Sequence, residues 1–217
     1  MSSAMIERIV NAVFETLYMV ILSGFIGTVL GVAMGVALYI TRRGNFLERP
    51  LFNRVLSIIV NIGRSVPFII LALAIVPFTQ LLVGTFIGNT AAVVPLTLAA
   101  IPFVARLVEG ALLEVPDGLI EAAQAMGATP QQIIFRVLLP EAAAGIITAI
   151  TVTFISLIGY SAMAGGIGAG GLGAVAINYG YNRYDTGVML ITVIIMIVMV
   201  QGIQTLGDRL VRRAQHR

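Results

Sequence analysis

Long apolar runs separated by short polar segments dominate the chain, near residues 10–40, 66–83, 91–108, 142–162 and 188–206. A run of about 18 residues or more with almost no charge is long enough, as a helix, to cross a hydrocarbon core of roughly 30 Å. The pattern therefore predicts an all-α polytopic membrane protein with five transmembrane helices in a single domain, residues 1–217. The first run is longer than such a core requires, so its helix must tilt or project into water at one end. Residues 52–63 are also apolar, but Arg54 and Asn61 interrupt them and Arg64 follows. That stretch reads as an amphipathic surface helix leading into the second span.

Charge orients the chain. All 13 basic residues are arginine. Arg42, Arg43, Arg49, Arg54 and Arg64 lie between the first two runs, Arg106 and Arg136 flank the loop after the third, and Arg209, Arg212, Arg213 and Arg217 form the tail. Only Arg8 and Arg183 fall on the other side. The positive-inside rule then places the N-terminus outside and the C-terminus in the cytoplasm. The net charge of +3 is a topology signal rather than a nucleic-acid footprint. The start of the chain reads as a retained span, since no small-residue cleavage site follows a short hydrophobic core.

Composition narrows the chemistry. Apolar residues make up 59% and charged ones 11%, far from the soluble norm. With no cysteine, disulfides and thiolate metal sites are excluded. His216 is the only histidine, so neither a histidine metal site nor a Ser-His-Asp triad can be assembled in one chain. Without lysine there is no P-loop, so any ATP that drives this protein is bound by another chain. No enzyme activity is expected of it.

The loop at residues 109–140 is polar and helix-forming. Pro116-Asp117 starts a first helix, and Gly127 suits the left-handed position that ends it. Thr129 caps a second helix, with Pro130 in its first turn and Gln132 completing a capping box; Pro140 ends it. Leu119, Ile120, Ala123 and Met126 form an apolar stripe at helical spacing, a knob for another protein's groove.

At the end of the fourth run, residues 159–173 are glycine-rich. Gly166, Gly168 and Gly171 match a dinucleotide-binding spacing, but that motif carries meaning only between a strand and a helix. Here the segment reads as an irregular or re-entrant turn in which backbones approach closely. Tyr160, Ser161 and Met163 just before it are candidates for an external gate or pathway, with packing against other spans as the alternative. In the first run, Gly24, Gly27, Gly31 and Gly35 share a face, which suits intramolecular helix packing better than a dimer seam. Glu15, in the outer half of that run, reads as interfacial, with no proton-coupling role.

Glu121-Ala122-Ala123, Gly127 and Leu139-Pro140 resemble the EAA loop of the permease subunits of bacterial ABC importers. Arg64-Ser65-Val66-Pro67-Phe68-Ile69-Ile70, the glycine-rich segment and Tyr179-Gly180-Tyr181 are similar to the matching regions of methionine-importer permeases, along almost the whole chain. The resemblance implies the type I importer permease fold in a bacterial inner membrane. It also implies a coupling helix in which Glu121 supports the loop, Ala122, Ala123 and Met126 dock on an ATPase subunit, and Gly127 sets the turn. The implied partners are a second copy of the chain, two ATPase subunits carrying ATP and Mg, an external substrate-binding protein or lipoprotein, and membrane lipid. No cofactor or metal is implied on this chain. The expected substrate is methionine of either hand or a related amino acid. An ion-coupled secondary transporter or channel, or a permease for another small amino acid, is the alternative.

Overall fold

A computed structural model describes residues 3–215; His216 and Arg217 lie outside the described residues. Eleven α-helical segments follow one another in the described chain, and no strand occurs among those residues. Helix α1 spans Ser3–Ile40, unbroken because it contains no proline, and α5 spans Asn89–Leu113, with Pro95 and Pro102 inside it. Helix α9 spans Ala143–Gly165 and α11 spans Thr186–Gln215. These four are long and apolar enough to cross a membrane singly.

The expected second span over 66–83 is not one helix. The chain there runs from the end of α2 (Pro50–Ser65) through α3 (Phe68–Ala74) and α4 (Val76–Val83), and α2 and α3, bent 103° apart, are together apolar enough for a broken span or a re-entrant loop. Proline explains both interruptions. Val66 precedes Pro67 and is extended, as the residue before a proline prefers, so α2 stops there. Pro77, in the first turn of α4, supplies no N–H to continue α3 across Ile75.

Residues 52–63 accordingly do not form a separate surface helix. They belong to α2, which climbs along α5: Asn53 donates to the Leu38 carbonyl at the end of α1, and Gly63 packs on Pro102 in mid-α5. Val60 is buried with Leu38 and Ala105.

Glycine sets the seam between α1 and α5. A Cβ on Gly27 would meet Ala100 at 2.6 Å, one on Gly35 would meet the Ala105 carbonyl at 2.6 Å, and Gly31 lies against Val104. The paired numbers rise together, so α1 and α5 run parallel. Gly24 packs on Phe154 and Gly145 on Ala111, which sets α9 antiparallel to both; Gly207 on Thr151 turns α11 back again. The small face of the first run therefore packs within the subunit, as its spacing suggests. The start of α1, Gly84–Gly88 and the glycine-rich turn gather at one end of the bundle. The end of α1, residues 114–142 and the end of α11 gather at the other, which carries most of the arginines.

Candidate functional site

At the arginine-rich end, α6 spans Asp117–Ala125 and α7 spans Pro130–Ile133. Between them the chain reverses on Gly127, at φ +80°, where a side chain would be strained but would touch nothing within 4 Å. The Gly127 N–H donates to Gln124 O at 2.9 Å and the Ala128 N–H to Ala123 O at 3.0 Å. This pair of bonds is the Schellman closure that satisfies the last carbonyls of a helix. The capping box is also present: the Gln132 N–H donates to Thr129 Oγ1 at 3.4 Å and the Thr129 N–H to Gln132 Oε1 at 2.8 Å.

Pro140 does not end the second helix. The helix widens into a π turn over Ile134–Leu138 and continues as α8, Leu139–Glu141, breaking at Ala142. The Leu139 N–H donates to Ile134 O, five residues back, a widening that relieves the clash of the Pro140 ring with the preceding turn.

The predicted apolar stripe divides into two faces. Ile120 and Ala123 turn inward against Val108, Leu112, Val115, Ile133 and Leu138, so they hold α6 to its own subunit. Leu119, Glu121, Ala122, Gln124, Ala125, Met126 and Gly127 are exposed. Met126 is 82% exposed, a large apolar side chain standing free on a polar loop. The expected support of the loop by Glu121 is not seen: among the described residues its carboxylate has neither hydrogen bond nor ion pair.

At the opposite end, the Tyr160 ring stacks on Phe68 with centroids 4.9 Å apart and planes 6° apart, linking α9 to α3. Ser161 is buried, and its hydroxyl donates to the Ile158 carbonyl at 2.8 Å within its own helix. Met163 is half exposed. Of the three candidates, Tyr160 joins two elements, Ser161 is satisfied internally and Met163 is open.

The glycine-rich segment turns over residues 166–170 and returns as α10, Gly171–Val175, which continues through a π turn, Ala176–Tyr181. The return is close: a Cβ on Gly173 would collide with the Ala162 backbone and one on Gly165 with that of Ala174. Glu15 and Thr16 hold it from α1. Glu15 Oε2 accepts the Gly171 N–H at 2.7 Å and Thr16 Oγ1 accepts the Leu172 N–H at 2.9 Å. Arg8 and Arg183 both lie over the Tyr179 ring, at 4.9 and 4.6 Å from its centroid. Sequence spacing gave no sign that Glu15 caps a helix 156 positions away.

Between the ends, Arg106 of α5 pairs with Glu109 at 2.6 Å and donates to Asn61 at 2.6 Å and Ser57 at 3.4 Å on α2. These residues escaped the sequence reading because Arg106 reads there as a topology marker. An arginine and a carboxylate on one face, three residues apart, was the available signal.

The geometry has counterparts among known proteins. Residues 27–216 match the family model of binding-protein-dependent transport system inner membrane components. This chain belongs to that family. It is 58% identical to a probable D-methionine transport system permease protein of Vibrio cholerae, over 97% of this chain and 94% of the relative. It is 56% identical to the D-methionine transport system permease protein of Escherichia coli K12, over 76% of each. Among solved structures, it matches a chain of the inward-facing MetNI methionine ABC transporter with a TM-score of 0.97, at 52% identity and over 99% of both chains. An amino acid ABC transporter solved with histidines, 22% identical, shares the fold at a TM-score of 0.80, over 97% of this chain and 95% of that one. The type I importer permease fold and the inner-membrane family expected from the sequence are thereby established.

Proposed function

We propose that this chain forms the translocation path of an ATP-driven methionine importer. The observation that carries this reading is the full-length agreement, at 52% identity, with a chain of a methionine ABC transporter. The permeases it resembles are named for D-methionine, so both enantiomers fall within the expected range. Two copies assemble with two cytoplasmic ATPase subunits, which hold ATP and Mg; this chain carries no cofactor of its own. A binding protein delivers substrate at the end where α1 begins, which faces outward. The arginine-rich end faces the cytoplasm.

The exposed face of α6 is suited to the coupling role. Leu119, Ala122 and Met126 give a partner cleft an apolar contact, while Ile120 and Ala123 fasten the helix to α5 and to the π turn. A push on α6 is thus passed to the spans through packed side chains rather than through a loose loop. Closure of the ATPase pair moves the bundle from inward-open to outward-open. At the outer end, Met163 and the Tyr160–Phe68 stack form the gate. The ion-coupled alternative is not favoured, because Glu15, the acid in the outer half of α1, is committed to the Gly171 N–H.

The test is co-purification with the adjacent ATPase and reconstitution with the binding protein in proteoliposomes. Uptake of labelled methionine that needs both ATP and the binding protein is expected. Uptake driven by an ion gradient without an ATPase would overturn the reading.

A further inference from the structure

Arg64 lies in the last turn of α2 and is exposed. Its neighbour Gly63 packs on Pro102, from which α5 extends about 20 Å to one end and about 17 Å to the other. Arg64 therefore stands at the level of mid-α5, where the adjoining stretches of α1 and α9 carry no charged residue. Arg54, Ser57, Asn61 and Arg64 recur at intervals of three and four residues and share one face of α2. On that wall Arg106 is neutralised by Glu109 and bonded to Asn61 and Ser57. Arg54 stands near the arginine-rich end, beside Arg42 and Arg43. Arg64 has neither a carboxylate nor an acceptor partner among the described residues.

A guanidinium at this depth does not face hydrocarbon at low cost; such residues turn to a partner or to a water-filled cavity. The helix offers lipid or a neighbouring helix a separate face, with Leu51, Val55, Ile58 and Ile62 exposed beside the polar one. The polar face is then the one that lines the aqueous path.

We infer that Arg64 is a substrate-contacting residue, which receives the carboxylate of the amino acid at mid-path, with Asn61 beside it as a neutral hydrogen-bonding group. This rests on the importer reading above, in which the path lies between two copies. The planar guanidinium fork matches a carboxylate in a bidentate pair. Arg106 is already neutralised by Glu109, so among the described residues Arg64 stands unpaired at this level, with the other unpaired cation of the face, Arg54, about 15 Å away along the helix. One such contact orients a zwitterion without trapping it, as a path that must also release its cargo requires.

The experiment compares wild type, Arg64→Gln and Arg64→Lys as complete complexes with ATPase and binding protein in proteoliposomes, reading labelled methionine taken up per ATP hydrolysed. Co-purification of the ATPase checks assembly. Arg64→Gln should lower the ratio about tenfold or more, the loss expected when a charged hydrogen bond is removed. Arg64→Lys keeps the charge but not the fork and should lower it about threefold. A helix-end or packing role would instead leave methionine per ATP unchanged once the complex assembles. An unchanged ratio in Arg64→Gln would overturn the inference and leave the importer standing. Should Arg64→Gln fail to assemble, an unchanged ratio in Arg64→Lys would overturn it equally. Absence of ATP-dependent methionine uptake in wild type would bring down the importer reading, and this assignment with it.

Discussion

The two ends of the bundle are built on opposite principles. The arginine-rich end is made of contacts between residues close in sequence: the Schellman closure at Gly127 and the capping box of Thr129 and Gln132 each span a handful of positions. The glycine-rich end is held by contacts far apart in sequence, with Glu15 and Thr16 of α1 capping α10 156 positions away, and by a close return of Gly173 onto the Ala162 backbone. A local motif can be read from a dozen residues and tolerates change elsewhere. A long-range clasp is silent in the sequence and concentrates stability in a few contacts that cannot relax.

Substitutions at the glycine-rich end should therefore be the more damaging. Gly173→Ala places a methyl group against the Ala162 backbone, which has no flexible side chain to yield. A loss of about 3 kcal/mol, at the upper end of overpacking costs, is expected, read as a lower Tm of the purified complex. Next comes Glu15→Ala, which strips the Gly171 N–H of a charged acceptor; about 2 kcal/mol should be lost. Glu15→Gln, which keeps an acceptor oxygen, should recover part of it. If Glu15→Ala melts with wild type, the clasp does not hold that end.

At the arginine-rich end the effects should be smaller in stability but visible in coupling. Gly127→Val forces a branched side chain into the left-handed region with no clash around it, so backbone strain alone costs about 1–2 kcal/mol. ATP hydrolysis should then continue while uptake falls. Thr129→Ala removes one half of the capping box and should cost about 1 kcal/mol. A larger loss from Thr129→Ala than from Gly173→Ala would break the contrast between the two ends.

What the sequence made legible follows the same division. Four of the five expected spans correspond to long helices, and the glycine face of α1 lies in the packing seam its spacing predicts. The second span was misjudged because a hydropathy window averages across Pro67 and Pro77, whereas the backbone breaks at each. The apolar stripe of α6 was visible, but helical spacing alone does not say which part of a stripe faces home. Ile120 and Ala123 turned inward because Val108 and Leu138, in two other elements, complete their pocket. Pro140 looked like a terminator until a π turn absorbed it. The clasp made by Glu15 was not legible because its partner is a backbone N–H, which no side-chain pattern reveals.

In the proposed importer, the exposed face of α6 transmits the ATPase cycle to the spans. The direct measurement is ATP-dependent methionine uptake by the reconstituted complex carrying Ala122→Arg. Ala122 is exposed, so the substitution leaves the subunit's own packing intact. The predicted result is a subunit with unchanged Tm and uptake reduced at least about tenfold, as expected for a charge forced into a close apolar contact. Wild-type uptake from that variant would show that the ATPase acts on the bundle elsewhere.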